Sequence, residues 1–229
     1  MGDKLYMNLY NNKISRRINK LIRQRLILPQ KRKDLSRERI SIVCNNCIGG
    51  FLLHDLGLRF DTPTINMFFH ELDFFDFVEH LNYYIKQPLI KIPTPFYNGN
   101  ELDYPVAILR GEGKLRDLEL HFLHYSSFDE AQEKWETRKQ RLNFEDLYVI
   151  WTFVGMDYNE ELYKRAENLP VKKKVFFVNH PVDNEKYPSF YYIKGFENQV
   201  GLGLISEFMN LKGERYYDQF DYVKWINSN

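Results

Sequence analysis

The chain has 229 residues, of which 44% are hydrophobic and 16% aromatic, so it can fill a sizeable core and is not expected to be disordered. No stretch approaches the roughly 18 apolar residues of a membrane span. The N-terminus lacks the apolar run of a secretory signal, and two cysteines cannot staple a disulfide scaffold. We therefore expect a cytoplasmic protein with a leader, residues 1–37, and a single α/β domain, residues 38–229.

The leader is strongly basic and predicts an amphipathic helix. Residues 1–39 hold twelve Lys and Arg against three acidic residues, although the whole chain has a net charge of only +1. Apolar side chains recur there at helical spacing, namely Ile14, Ile18, Leu21, Ile22 and Leu26. Such a helix either packs on the body or docks reversibly on an anionic membrane surface. Nucleic acid is a less favoured partner, because the leader offers only Tyr6 and Tyr10 for stacking on bases.

Strand and helix patterns alternate behind the leader. In chain order the sequence predicts a strand at 40–44, a helix at 51–56, a strand at 63–69, a helix at 72–85, a long loop at 86–104, strands at 105–109 and 118–122, a helix at 127–142, a strand at 147–154, a helix at 159–168, strands at 174–178 and 190–193, and a helix at 216–226. Strands that read as continuous apolar runs between helices favour a parallel sheet. The sequence therefore predicts a three-layer α/β sandwich with a mostly parallel sheet.

The turn after the first strand is the leading candidate for a site. Ligands bind beyond the carboxyl ends of strands in open α/β sheets, and Asn45, Asn46 and Cys47 follow a strand and precede Gly49-Gly50. We expect this turn to face an open pocket together with at least one imidazole. Cys47, near a helix start, would have a lowered pKa, and the two asparagines could donate hydrogen bonds to an oxyanion. The alternative is a tight buried turn with both cysteines in the core.

Other polar residues supply candidate bases and ligands for substrate. His124 and His180 each follow a predicted strand and could act as general base or acid, or be structural. Arg138 and Arg141 could hold a phosphorylated donor, and we assign Trp135 and Asp73 to substrate binding with them. The simpler interpretation is that the two arginines lie on a solvent-exposed helix face and form ion pairs.

Cys44 and Cys47 also form a Cys-x-x-Cys pair, which suggests a redox protein as a further alternative. Pro63-Thr64 resembles the dipeptide that faces such a pair in thioredoxin-like proteins, but it follows too soon to leave room for the intervening strand and helix. A zinc site would require His124 or His180 to join the two cysteines, and we assign no metal ligands.

The order of several motifs resembles an uncharacterised bacterial family. The motifs are Cys44–Cys47, Gly49–Gly50, His54–Leu58, Thr62–Asn66, Asp73–Phe77, Asn82–Tyr84, Tyr104–Val106, His124–Tyr125 and Trp135–Asn143. Members of that family carry a domain of unknown function and are often labelled exopolysaccharide biosynthesis proteins. The resemblance covers roughly residues 38–225 and implies an α/β fold and a role near the assembly of cell-surface glycans.

A more remote similarity concerns the turn itself. Asn46-Cys47 is similar to the Gly-Asn-Cys-Gln opening of capsule acetyltransferases related to SGNH hydrolases, with Asn45 and Ile48 in place of its glycine and glutamine. We therefore expect a transferase that moves an acyl or other activated group from acyl-coenzyme A or a nucleotide sugar to a sugar. The alternative is a non-catalytic, membrane-peripheral assembly factor of glycan synthesis.

Overall fold

The computed structural model describes residues 9–97, 102–153 and 159–228. The leader contains α1 (Lys13–Ile22), a π-helical turn (Arg23–Ile27) and α2 (Leu28–Asp34). The elements of the body are β1 (Ser41–Cys44), α3 (Ile48–Leu56), β2 (Phe68–Phe69), α4 (Glu71–Glu79), α5 (Leu81–Tyr84), β3 (Ile90–Ile92), β4 (Val106–Leu109), β5 (Leu118–His121), α6 (Phe128–Lys139), β6 (Leu147–Thr152), α7 (Glu160–Glu167), β7 (Lys173–Val178), β8 (Phe190–Tyr192), a 3-10 turn (Tyr216–Gln219) and α8 (Tyr222–Asn227). Residues 98–101 of the predicted loop and residue 154 of a predicted strand lie outside the described residues.

The strands form two four-stranded sheets. The first sheet is parallel throughout, in the order β1-β6-β7-β8, and confirms the predicted parallel sheet. The second sheet is antiparallel, in the order β2-β5-β4-β3, and was not predicted as a separate sheet. The two sheets meet where the Phe69 N–H donates to the Asn45 carbonyl at 2.9 Å. The fold is a layered α/β fold with an additional antiparallel sheet.

The parallel strands bury both of their faces, as their continuous apolar sequences predict. Alternate residues of a strand point to opposite faces. One set packs against α4–α7 and the antiparallel sheet, and includes Val43, Val149, Trp151, Phe176 and Val178. The other set packs against α3 and the C-terminal segment, and includes Ile42, Cys44, Ile150, Val175 and Phe177. The sheet is therefore the middle layer between two apolar cores.

The predicted strand at 63–69 is much shorter in the structure, because side chains replace part of its ladder. β1 is an edge strand of the parallel sheet, and its Cys44 N–H donates to the Thr64 hydroxyl at 3.1 Å. The Thr62 and Thr64 hydroxyls are 3.1 Å apart. Thr64 thus satisfies a backbone donor at the edge of the sheet, and only Phe68–Phe69 pairs as a strand.

The leader packs on the body through its polar face rather than its apolar one. Arg23 and Asn19 are 2% and 0% exposed, and the Arg23 guanidinium donates to Asp55 and Asp218, each at 2.5 Å. Four of the five residues of the predicted apolar stripe instead face outward, with Ile14 73%, Ile18 47%, Leu21 48% and Leu26 69% exposed, whereas Ile22 is half-buried. The buried carboxylates of Asp55 and Asp218 need a cationic partner, because leaving a buried charge unpaired costs more free energy than leaving the apolar side chains of the leader in water. This need sets the orientation of the leader.

Within these described ranges, no helix has both the length and the apolar character needed to cross a bilayer.

Candidate functional site

A cavity of about 760 Å³ lies where the two sheets meet. Five segments of the chain form its walls: residues 45–51 from the turn after β1 into α3, residues 67–72 from β2 into α4, Tyr97, the residues after β5, and residues 202–206. The lining residues include Asn45, Asn46, Cys47, Phe51, Met67, Phe68, His70, Leu72, Tyr97, Leu123, His124, Leu202, Ile205 and Ser206. The expectation that the turn at 44–50 faces a pocket with at least one imidazole is confirmed, since both His70 and His124 line this cavity.

Asn45 forms part of the cavity floor, and its side-chain amide is already engaged. Its Nδ2 donates to the Thr152 carbonyl at 2.9 Å, and its Oδ1 accepts from the Thr152 N–H at 2.8 Å. This double hydrogen bond joins the end of β1 to the end of β6. Asn45 as a whole is only 3% exposed. The predicted role of Asn45 as an oxyanion donor is therefore corrected to a structural one.

Asn46 and Cys47 lie at the start of α3 and are half-buried. The Asn46 Oδ1 accepts from the Ile48 N–H at 3.1 Å, which satisfies one backbone donor of the first turn of α3. Burial raises the pKa of Cys47, so the predicted lowering of that pKa by the helix end is wrong. Desolvation of the thiolate outweighs the helix dipole here. Cys47 remains a thiol at neutral pH unless a base accepts its proton.

Cys44 differs sharply from Cys47, although only two residues separate them. It is fully buried in the core on the α3 side of the sheet, where burial raises its pKa to about 12. A Cβ on Gly49 would come within 3.1 Å of the Cys44 Cβ, so the helix packs closely over this thiol. Thiol–disulfide exchange requires thiolate character and access. The environment of Cys44 therefore does not favour the redox alternative.

The two predicted histidine bases lie in different cavities. His124 is exposed, lines the main cavity, and is held by its backbone N–H, which donates to the Asn66 carbonyl at 3.3 Å. His180 lines a smaller cavity on another part of the surface, where its Nε2 is 2.8 Å from the Tyr163 hydroxyl. His180 is accordingly separated from Cys47, and of the two predicted bases His124 is the one that shares the cavity with this thiol.

The predicted substrate-binding side chains on α6 and α4 do not line the cavity. Trp135 is 1% exposed and belongs to the core. Asp73 is fully buried, where it accepts from Arg116 at 2.5 Å and from the Glu119 N–H at 3.1 Å. Burial raises the pKa of Asp73, and the adjacent Arg116 partly opposes that effect. Asp73 also accepts from the hydroxyl of the cavity residue Tyr97 at 3.0 Å, so it supports the cavity wall from behind.

Arg138 and Arg141 belong to a cationic cluster near the start of β1. The Arg138 Nη1 donates to the Tyr125 hydroxyl at 2.6 Å, and the Arg141 Nε lies 3.7 Å from the buried Asp61 carboxylate. Arg39 pairs with the same carboxylate at 2.7 Å. The cavity begins beyond Cys44, at the opposite end of a strand that spans about 10 Å. A donor held by Arg141 would therefore have to extend along β1 to reach the cavity, whereas Arg138 bonds to Tyr125, the neighbour of the cavity residue His124.

Three residues that the sequence analysis did not select form a buried polar cluster at the cavity wall. We call His70, Glu119 and His121 the histidine cluster. One nitrogen or oxygen atom from each lies within 4.8 Å of the others, and the His121 Nε2 is 2.7 Å from the Glu119 Oε1. The sequence does contain a signal for two members of the cluster. Glu119 and His121 are two residues apart in a strand and therefore share a face, and a buried polar pair is unusual in an apolar strand.

Both imidazoles of this cluster are uncharged at neutral pH. His121 is 2% exposed and stacks on Phe68 with ring centroids 4.3 Å apart. Burial lowers the pKa of His121 to about 4, and the neighbouring His70 adds to this effect. Burial also lowers the pKa of His70, with a smaller opposing contribution from Glu119. The cluster therefore brings two neutral imidazoles and one carboxylate together, and His70 lies on the cavity surface.

Comparison with known proteins places this architecture in a family. The model of the domain of unknown function DUF1919 matches residues 17–227, a range that includes most of the leader helix as well as the body. An uncharacterised protein of Haemophilus influenzae strain Rd is similar, with 39% identity over 219 residues, which cover 94% of this chain and 97% of the relative. The chain therefore belongs to the DUF1919 family.

Proposed function

We propose that this protein is a transferase that moves an acyl or other activated group to a sugar or glycan precursor of the cell surface. The observation that carries the proposal is the shared cavity of Cys47 and His124, which is formed at the carboxyl end of β1. Its volume and its apolar lining with few polar groups are typical of small-molecule sites. The glycan substrate is supported by the motif order that resembles proteins labelled exopolysaccharide biosynthesis proteins.

The residues around the cavity suggest a division of roles. With an acyl thioester as donor, His124 would accept the Cys47 proton and the thiolate would attack the acyl carbonyl. The tetrahedral intermediate would collapse with cleavage of the bond between the acyl carbon and the coenzyme A sulfur. This leaves the acyl group on Cys47 as a thioester, and the departing thiolate takes up the proton from His124. A sugar hydroxyl would then attack the thioester and return a proton to Cys47. A base is required because the pKa of Cys47 is raised by burial.

Thermal-shift titration followed by transfer assays tests this proposal. We expect acetyl-coenzyme A or a uridine-diphosphate sugar to raise the melting temperature, because a ligand that binds only the folded state stabilises it by about 2.7 kcal/mol at 100 times its Kd. Cys47→Ala and His124→Ala should abolish transfer of a labelled group to a sugar acceptor while the fold is retained. His180→Ala is the matched control, since His180 lies in the smaller cavity. Full activity in both cavity variants contradicts the assigned roles.

The exposed apolar stripe of the leader favours a second candidate function, attachment to an anionic membrane as a peripheral assembly factor. The stripe consists of Ile14, Ile18, Leu21 and Leu26, which are 47–73% exposed. Basic residues flank it on the same helix, namely Lys13, Arg16, Arg17, Lys20 and Arg25. A helix with one apolar face and a cationic border matches the chemistry of an anionic bilayer surface.

The leader helix also contacts the segment that lines the cavity. Arg16 pairs with Glu207, and the side chain of the preceding residue, Ser206, lines the cavity. Phe51, Leu72 and Leu123 at the cavity are 38–45% exposed, so large apolar side chains occur at both places. A membrane-bound leader would hold the cavity close to lipid-linked precursors, and the two candidate functions are therefore compatible.

Vesicle co-sedimentation tests the attachment. We expect binding to vesicles that contain phosphatidylserine, weaker binding at high salt, and little binding to pure phosphatidylcholine. Ile18→Glu should weaken binding, whereas Gln24→Glu adds the same charge at an exposed position without removing an apolar contact. Point substitutions are preferable to deletion of the leader, because Arg23 neutralises buried carboxylates in the body. Equal binding by the two variants contradicts a role for the stripe.

A further inference from the structure

We propose that the histidine cluster, His70, Glu119 and His121, is a divalent transition-metal site in the wall of the main cavity, with Zn²⁺ as the best-matched ion. The proposal stands on the geometry and chemistry of these three side chains. It does not depend on the transferase reaction or on membrane attachment.

The three ligand atoms are already close to the spacing that a metal requires. They lie within 4.8 Å of one another. Two ligand atoms at about 2.1 Å from a tetrahedral Zn²⁺ are about 3.4 Å apart. The contact between the His121 Nε2 and the Glu119 Oε1, at 2.7 Å, needs only to lengthen slightly. The half-buried His70 ring is the part that has to approach, by up to about 1.4 Å, which is the difference between 4.8 Å and that spacing.

The backbone holds the ligands in this arrangement. Phe68 pairs with His121 and Phe69 with Leu120 in antiparallel register, so the next residue, His70, follows toward Glu119. Glu119 and His121 point to the same face of β5 because they are two residues apart. The cluster is therefore built on paired strands of the antiparallel sheet, and such rigid elements are the common support of precise metal sites.

The donor set is the kind that binds a catalytic zinc. Two imidazoles and one carboxylate leave a fourth position for water or substrate. His70 lines the cavity, and Glu119 and His121 lie behind it, so that fourth position would face the cavity. Zn²⁺ accepts both nitrogen and oxygen ligands and ranks high in affinity among divalent first-row metals.

Outer contacts orient the ligands as metal sites require. The Tyr104 hydroxyl lies 3.4 Å from the His121 Nδ1, which leaves Nε2 directed toward Glu119. The Glu119 Oε2 accepts from the Phe96 N–H, and the Asp73 Oδ2 accepts from the Glu119 N–H at 3.1 Å. Such contacts fix the tautomer and direction of ligand side chains.

Calorimetric titration of the untagged full-length protein with ZnCl₂ alone, after removal of metals with a chelator, tests the site. We expect one equivalent of Zn²⁺ per chain with a Kd in the micromolar range or below. His70→Ala and Glu119→Gln should each weaken binding by about 100-fold or more, since each removes one of three protein ligands. His124→Ala is the matched control, because it removes an imidazole from the same cavity without touching the cluster.

A spectroscopic measurement distinguishes metal binding by the histidine cluster from metal binding elsewhere on the protein. Co²⁺ in place of Zn²⁺ should give visible d–d absorption whose intensity indicates four or five ligands, and His70→Ala should change that spectrum. Circular dichroism checks that each variant is folded, and the half-buried His70 provides a usable variant if Glu119→Gln fails to fold. The proposal is overturned if the wild-type protein binds no Zn²⁺ at the stated affinity. It is equally overturned if His70→Ala and Glu119→Gln bind as tightly as His124→Ala, in which case the cluster is a hydrogen-bonded pair with a neighbouring histidine.

Discussion

Two buried polar clusters in this protein differ in how fully they use their own hydrogen-bonding capacity. The first, which we call the Arg23 network, contains Arg23, Asp55, Tyr217 and Asp218. Its guanidinium donates to both carboxylates, to the Tyr217 hydroxyl and to the Gly213 carbonyl, so one cation binds four acceptors from three parts of the chain. Such a network fixes the leader to the body.

The histidine cluster has the opposite character. Within it, His121 and Glu119 share a hydrogen bond, the His70 ring packs edge-on against the His121 ring, and His70 lines the cavity. The comparison shows that burial of charged groups alone does not identify a functional site. Ligand atoms that converge beside a cavity are more informative than ion pairs in which the partners already neutralise one another. The following predictions separate the two kinds of cluster, from the largest expected effect to the smallest.

Loss of Arg23 should be strongly destabilising. Arg23→Met leaves Asp55 and Asp218 buried without their principal cation, and we expect a loss of about 3–5 kcal/mol in the free energy of unfolding. Urea denaturation monitored by circular dichroism measures it. Arg25→Met, on the exposed side of the same helical segment, should change stability by about 0.5 kcal/mol or less. Similar denaturation midpoints for the two variants would show that the Arg23 network does not hold the leader.

Acid should destabilise the protein through the histidine cluster. The folded-state pKa of His121 is about 4, below the ordinary value of 6.5, so the unfolded chain binds a proton before the folded chain does. Stability should therefore fall as the pH decreases from 6.5 toward 4, by at most about 1.4 kcal/mol per pH unit from this group. The difference in slope between the wild-type protein and His121→Gln isolates this contribution, and identical slopes would contradict it.

The two thiols should differ in reactivity in the folded protein. Iodoacetamide should modify Cys47, which lines the cavity, and leave Cys44 unmodified until the protein unfolds. Because the pKa of Cys47 is raised, its alkylation at pH 7 should be slower than that of a free cysteine and should accelerate as the pH rises. Mass spectrometry of the labelled peptides measures both sites. Rapid labelling of Cys44 in the folded state would contradict its burial.

A polar substitution in the apolar stripe should have the smallest effect on stability. Leu21 is 48% exposed, so Leu21→Ser should change the free energy of unfolding by about 0.5 kcal/mol or less. The same measurement on Leu28→Ser, at a 4% exposed position of the adjoining helix, should give a loss of several kcal/mol. Comparable losses at the two positions would mean that the stripe is covered in solution.

Much of the fold could be predicted from the sequence because it depends on local patterns. The apolar runs at 147–152 and 174–178 lie within single strands, and Ser127, whose hydroxyl accepts from the Glu130 N–H, is a local signal for the start of α6. The parallel sheet and α6 were expected for that reason. The antiparallel sheet was missed because β2 has only two paired residues. The orientation of the leader was missed because the partners of Arg23 lie 32 and 195 residues away in sequence.

The candidate site could be predicted only in part. The position of the turn at 44–50 beside a cavity follows from the general geometry of strand ends, and it was expected. Asn45 was assigned the wrong role because nothing local indicates that its amide pairs with Thr152. The pKa of Cys47 was expected to fall because the helix start is visible in the sequence, whereas its burial is not. The histidine cluster depends on strand pairing between distant segments, which a single sequence does not specify.

Asn45 has a further consequence for how the cavity can respond to a ligand. Its side chain imitates a strand residue beside β6, while its own carbonyl accepts from Phe69 in the other sheet. One residue therefore ties both sheets together underneath the cavity, and the floor is formed before any ligand arrives. Adjustment on binding is left to the walls, above all to the rings of Tyr97, Phe51 and His124, so selectivity among ligands should change with these three side chains while the floor stays in place.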